Sequence, residues 1–141
     1  MADLNIILPL LAERLGTIPG LTAWAELPDS FVAPGAFFVD LGSRHELTFG
    51  SSETYDLSEL NVELVVAVSK AGGLTNARRI LQPYTANTGA ASIRATLAAD
   101  RTLGGAIIGL AFPETWSRAQ DEEINDGDYL GQRLTIRGWA T

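Results

Sequence analysis

The stretch Leu60-Asn61-Val62-Glu63-Leu64-Val65-Val66-Ala67-Val68 decides the fold. Leu60, Val62, Leu64, Val66 and Val68 fall at every second position, and side chains two apart share one face of an extended chain. The pattern predicts a strand from Thr54 to Ser69 with these five residues turned to a core. Just upstream, Gly50-Ser51-Ser52 is a turn signal. Before it, Ala36 to Leu41 is a second apolar strand that continues irregularly through His45 to Phe49. Residues 36–69 therefore read as one long β-hairpin, with a polar tip near Gly50 that projects from the body.

On the N-terminal side, Asp3 to Leu15 is a helix, because Ile7, Leu11 and Leu15 recur at i, i+4 and i+8. Gly16 stops it, and Pro9 either kinks it or sits in the first turn of a helix that starts later. Ile18-Pro19-Gly20 is a turn. Leu21 to Leu27 alternates as a weak strand, with Leu21, Ala23, Ala25 and Leu27 on one side. Pro28 to Gly35 is a loop whose Phe31 and Val32 are either buried or an exposed apolar contact.

On the C-terminal side, Ala71-Gly72-Gly73 breaks the sheet and Thr75 is a candidate N-cap. Ala77, Ile80, Leu81 and Tyr84 make one helix face, and Pro83 marks that helix's end. A short helix follows near Ala91 to Ala99, begun by Ser92 and stacked through Ile93 and Leu97. Arg78, Arg79 and Arg94 fall on or near solvent faces. Three β segments close the chain: Ala106 to Phe112, Thr115 to Ile124 and Gln132 to Trp139. The last turns Leu134 and Ile136 inward and Arg133, Thr135 and Arg137 outward, and Asn125-Asp126-Gly127-Asp128 is the turn before it. There is no internal repeat or linker. The order predicts a single α+β domain over residues 1–141. Its mixed or antiparallel β-sheet, with the long β-hairpin, packs against the N-terminal helix and the central helix pair.

Composition narrows the chemistry. The 141 residues suit one core, and 46% hydrophobic residues are enough to fill it. Net charge is −7, from 17 acids against 10 bases. An acidic surface repels phosphate, which excludes a basic clamp on DNA but not an acidic wall lining a channel that DNA slides through. Charged residues make up 19%, below the roughly 25% of an average domain. Either partners cover part of the surface, or this is an ordinary domain rich in Ala and Leu. With no cysteine, disulfides and cysteine metal sites are excluded, and the chain fits a reducing compartment. The N-terminus lacks the basic flank of a signal peptide. The run Ile6 to Leu11 is broken by Pro9 and far too short for a membrane span of about 20 residues. The expectation is a protein made and assembled in the cytoplasm, with no membrane partner.

No constellation carries chemistry. Asp121-Glu122-Glu123-Ile124-Asn125-Asp126-Gly127-Asp128 fails as a calcium loop: with Gly127 at position 6, Ile124 stands at position 3 and Arg133 at position 12. It reads as a solvated hairpin or an acidic contact surface. His45 is the only histidine, and its neighbour Glu46 points to the opposite face of a strand, so no base is oriented. Gly72-Gly73 and Gly104-Gly105 fit no phosphate loop, and Ser92 sits in no nucleophile elbow. Trp24, Trp116 and Trp139 lack the basic groove of a single-strand stacking platform and read as packing residues. The expectation is no enzyme, no cofactor and no metal.

Gly89-Ala-Ala-Ser-Ile-Arg-Ala-Thr-Leu-Ala-Ala-Asp-Arg-Thr-Leu-Gly-Gly105 resembles a segment typical of phage tail terminators. The likeness extends in outline through Gly16-Thr-Ile-Pro-Gly-Leu21, Ala36-Phe-Phe-Val-Asp40, Val62 to Val68 and Tyr129-Leu-Gly131. The layout looks like the terminators of siphophages, especially those infecting actinobacteria; other neck proteins, such as head-completion and stopper proteins, share this size and acidity. The resemblance implies a structural virion protein of the tail and neck, assembled in the host cytoplasm. It implies a homo-oligomer, a hexameric ring, that caps the tail tube protein, stops polymerisation and presents a surface to the head-tail connector or stopper protein. Genomic DNA would pass through the lumen without sequence-specific binding. His45, Glu46, Thr48, Phe49, Glu53 and Tyr55 of the hairpin arm are the candidate subunit or tube contacts. Asp121, Glu122, Glu123, Asp126 and Asp128 are the candidates for the lumen or the head-side contact. The competing classes are another neck protein, an enzyme or small-ligand binding domain, and a stand-alone cellular adaptor domain that binds its partner without forming a ring.

Overall fold

The computed structural model describes residues 4–43, 47–49, 53–55 and 58–140. The elements are α1 (Leu4–Leu15), β1 (Thr22–Trp24), β2 (Gly35–Asp40), β3 (Leu47–Phe49), β4 (Glu53–Tyr55), β5 (Ser58–Ser69), α2 (Leu74–Thr85), α3 (Ile93–Ala98), β6 (Gly109–Ala111), β7 (Gln120–Ile124) and β8 (Gly127–Ala140). Six strands form one mixed sheet in the order β1-β2-β5-β8-β6, with β7 also paired to β8. The domain is α+β, as the sequence predicts.

β5 is central because its alternation satisfies both neighbours. Val62 and Leu64 stand opposite Ile136 and Leu134 on β8, and Leu64 and Val66 stand opposite Phe38 and Ala36 on β2. All seven are buried under α1, α2 and α3, which contribute Ile7, Leu11, Leu15, Ala77, Leu81, Ile93 and Leu97. The other face of β5 is not polar throughout. Val65 and Ala67 are also fully buried, in a second cluster with Phe31, Phe37 and Ile124.

That second cluster explains the largest departure from expectation. β1 has three residues rather than the seven of Leu21 to Leu27, and it pairs with β2 in parallel. Parallel neighbours need a crossover, not a tight turn, so the chain leaves the sheet after Trp24 and crosses the outer face. Phe31 is the buried anchor of that crossing, packed edge-on to Phe37 and Tyr129, while Val32 is exposed. Gly35 makes the crossing possible, since a Cβ there would lie 2.5 Å from the Val32 carbonyl oxygen and 2.7 Å from the Trp24 ring.

Smaller corrections have local causes. α1 runs unbroken from Leu4 with Pro9 inside it, so Pro9 removes one hydrogen bond without delaying the start. The N-cap of α2 is Gly73, with φ of 93°, and Thr75 lies inside the helix. Ile80 is exposed; the buried face of α2 is Ala77, Leu81 and Tyr84. Pro83 is followed by two further helical residues. Ser92 caps α3 as expected, accepting the Ala95 N–H at 3.1 Å. The segment predicted as Ala106 to Phe112 is extended only over Gly109–Ala111, and Thr115 to Ile124 only from Gln120. β8 starts five residues earlier than predicted, at Gly127.

Candidate functional site

The two surfaces expected from the sequence lie at opposite ends of β5. Ser69 pairs with Tyr129 beside the acidic turn, and Ser58, at the other end, follows the hairpin arm. Eleven residue steps separate them, about 36 Å at strand rise.

The arm begins where Asp40 ends β2. The Asp40 Oδ1 accepts the N–H of Gly42 at 3.1 Å, the N–H of Ser43 at 3.0 Å and the Ser43 hydroxyl at 2.8 Å. These bonds bend the chain out of the sheet, as an acid's local backbone bonds do in turns. The bend is tied down where Leu41 N–H donates to Asn61 O and Asn61 N–H donates to Ser43 Oγ. Beyond it, Leu47, Thr48 and Phe49 pair antiparallel with Tyr55, Thr54 and Glu53. Among the described residues this two-stranded ladder pairs with no strand of the main sheet. The predicted strand from Thr54 to Ser69 is, among these residues, two strands, β4 and β5, and both pair back in the register of one hairpin, Leu47 opposite Tyr55 as Asp40 is opposite Val62. His45 and Glu46 lie outside the described residues, as does the tip at Gly50–Ser52.

The acidic segment is a β-hairpin. Asn125 and Asp126 both have positive φ, 49° and 64°, between the paired Ile124 and Gly127. That is the two-residue turn whose twist matches its strands, and Asn leads among residues that accept it. The Asn125 side chain accepts the Phe31 N–H and donates to the Pro28 carbonyl, so the turn latches the crossing loop.

The five acidic candidates have three different environments. Asp121 and Asp128 stay exposed but share Lys70, whose Nζ lies 2.9 Å from Asp121 Oδ1 and 2.8 Å from Asp128 Oδ2. Those bonds, to Asp128 first and then Asp121, raise the Lys70 pKa above its ordinary 10.5. Glu122 is buried. Arg133 grips it with two nitrogens, Nε to Oε1 at 2.8 Å and Nη2 to Oε2 at 2.9 Å. Arg133 Nη1 also reaches Glu63 Oε1 at 2.6 Å, so one guanidinium joins β5, β7 and β8. Hydrogen bonding from Arg133 holds the Glu122 carboxyl below its ordinary 4.5, against the opposing effect of burial. Gly131 leaves room for this, since a Cβ there would lie 2.6 Å from Glu122 Cγ. Glu123 and Asp126 are exposed and, among the described residues, make no ion pair. They are the two acids of this hairpin still open to a partner.

Sequence reasoning missed two features. The Glu63–Arg133–Glu122 bridge was signalled only by opposite charges at outward positions of paired strands. A cleft of about 380 Å³ beside α2 is lined by Thr75, Arg78, Arg79, Gln82, Thr85 and Gln132, together with the apolar Leu81 and Ala119. It had no signal beyond the exposed arginines. Among the described residues, no three His, Asp or Glu side chains converge as a metal site. None of their helices is long and apolar enough to cross a membrane. No family model matches the chain, and no curated protein matches it.

Proposed function

We propose that this chain is a non-enzymatic ring subunit of the tail-terminator type, a virion protein of the tail and neck. Six copies close a ring on the end of the tail tube protein and stop its polymerisation. The opposite side of the ring meets the head-tail connector or stopper protein, and genomic DNA passes through the lumen.

The observation that carries this reading is the separation of the arm and the acidic hairpin to opposite ends of β5. A part that joins two different neighbours needs two different ends, and a cap needs one end that cannot accept another tube ring. A second observation points the same way. A lone two-stranded ladder is marginally stable in water, so the β3–β4 arm gains most from lying against a neighbouring subunit or the tube. The short edge strands β1 and β6 would be covered by the same contacts.

The test is negative-stain microscopy of the purified protein, alone and mixed with uncapped tail tubes. Rings, or density on one end of each tube, are the expected result. Protomers that ignore both tube ends would overturn the reading.

A further inference from the structure

The cations on and beside the sheet are paired with acids of the same chain: Lys70 with Asp121 and Asp128, Arg133 with Glu63 and Glu122, Arg137 with Glu59. Arg78 and Arg79 are not. Arg78 makes no hydrogen bond or ion pair among the described residues, and the Arg79 side chain donates only to Asn76. Both line the α2 cleft, whose other polar lining is hydroxyl and amide, with no carboxylate. In a chain of net charge −7, an acid-free cleft with two unneutralised guanidiniums calls for an anionic occupant, and the planar forks of arginine match carboxylates. The volume lies within the roughly 300–1,000 Å³ of binding clefts.

The protomer carries a matching group that it does not use. Glu123 stands two residues before Asn125, with Ile124 between, and Asp126 lies within the two-residue turn; the loop latched to that turn adds the exposed Asp29. None of the three makes an ion pair among the described residues.

We propose, resting on the ring reading above, that the acidic hairpin tip of one copy seats in the α2 cleft of the next, pairing Glu123 and Asp126 with Arg78 and Arg79. The two patches differ, so the contact is head-to-tail and repeats around a closed ring. Charge complementarity of this kind sets register and rejects wrong pairings.

Charge reversal tests this by sedimentation velocity across a protein concentration series, at low and high salt. All four positions are exposed, and circular dichroism melting confirms that each variant folds. Arg78→Glu with Arg79→Glu should weaken self-association about tenfold or more, as should Glu123→Arg with Asp126→Arg. The milder Arg78→Gln with Arg79→Gln should fall between. Combining the two reversals in one chain should restore association, because every interface again pairs opposite charges. If the wild type assembles and the arginine reversal assembles equally well, the pairing is wrong and the ring reading stands. The pairing is equally wrong if the combined reversal restores nothing. A wild type that stays monomeric even on uncapped tubes overturns both.

Discussion

The Asn125 side chain holds the backbone of Phe31 across 94 residues of chain, its Oδ1 accepting the Phe31 N–H at 2.9 Å. The same residue sits at a φ of 49°, so it serves the turn and the latch at once. Asn125→Gly should keep the turn and lose the latch, costing about 1 kcal/mol. Asn125→Ala should lose the latch and strain the turn, costing about 2 kcal/mol. Urea unfolding measures both costs, and amide exchange at Phe31 should speed up in both variants.

Arg133 retains Glu63 if Glu122 is neutralised, whereas Glu122 retains only Gln120 if Arg133 is removed. The two halves of the bridge are therefore unequal. Glu122→Gln should destabilise by about 1 kcal/mol and Arg133→Met by about 3 kcal/mol, because the latter strands a buried carboxylate. Equal midpoints for the two variants in urea would show that the bridge is not organised around Arg133.

The Glu122 carboxyl is depressed below 4.5 in the folded protein. The folded state therefore binds fewer protons than the unfolded chain in the window just below that value. Stability from this group is fully present above pH 4.5 and is lost as pH falls through the depressed value. Lys70 behaves in the opposite sense: its raised pKa contributes below 10.5 and is lost as pH rises beyond it. Unfolding free energies between about pH 3 and pH 7 should fall less steeply in Glu122→Gln than in the wild type.

Gly131 is required for closeness. A Cβ there meets Glu122 Cγ at 2.6 Å and the Val66 carbonyl oxygen at 2.9 Å. The first contact can move and the second cannot, because it belongs to the central strand. Gly131→Ala should cost about 1–3 kcal/mol as overpacking, read as a lower melting temperature.

Replacing residues 44–57 with a short Gly-Ser turn should leave melting of the chain within a few degrees of wild type, since among the described residues the β3–β4 ladder shares no hydrogen-bonded strand with the main sheet. Tube capping should be lost. Capping that survives the deletion would remove the arm from the proposed assembly surface.

Much of this fold was legible because period-2 burial speaks plainly in β5 and β8. The unbroken run Leu64 to Val68 held a further message: an apolar residue at every position marks a strand covered on both faces. What covers the second face was not legible. Phe31 is the one buried side chain of the crossing loop, and its partners Ile124 and Tyr129 lie more than ninety residues away. The acidic hairpin was found as a turn. Its internal use was hidden, because a charge run looks the same whether its acids face water or fold back, as Glu122 does, onto an arginine near the far end of the chain.

β8 follows every other described strand in the chain yet lies in the middle of the sheet, between β5 and the β6 and β7 segments. During synthesis, β5 therefore waits with one twelve-residue edge unpaired until residues 127–140 emerge. Pairing so distant in sequence is slow to form, and a bare apolar edge invites other chains. The nascent chain is most vulnerable to mispairing just before β8 arrives, and a chain halted short of Gly127 should aggregate.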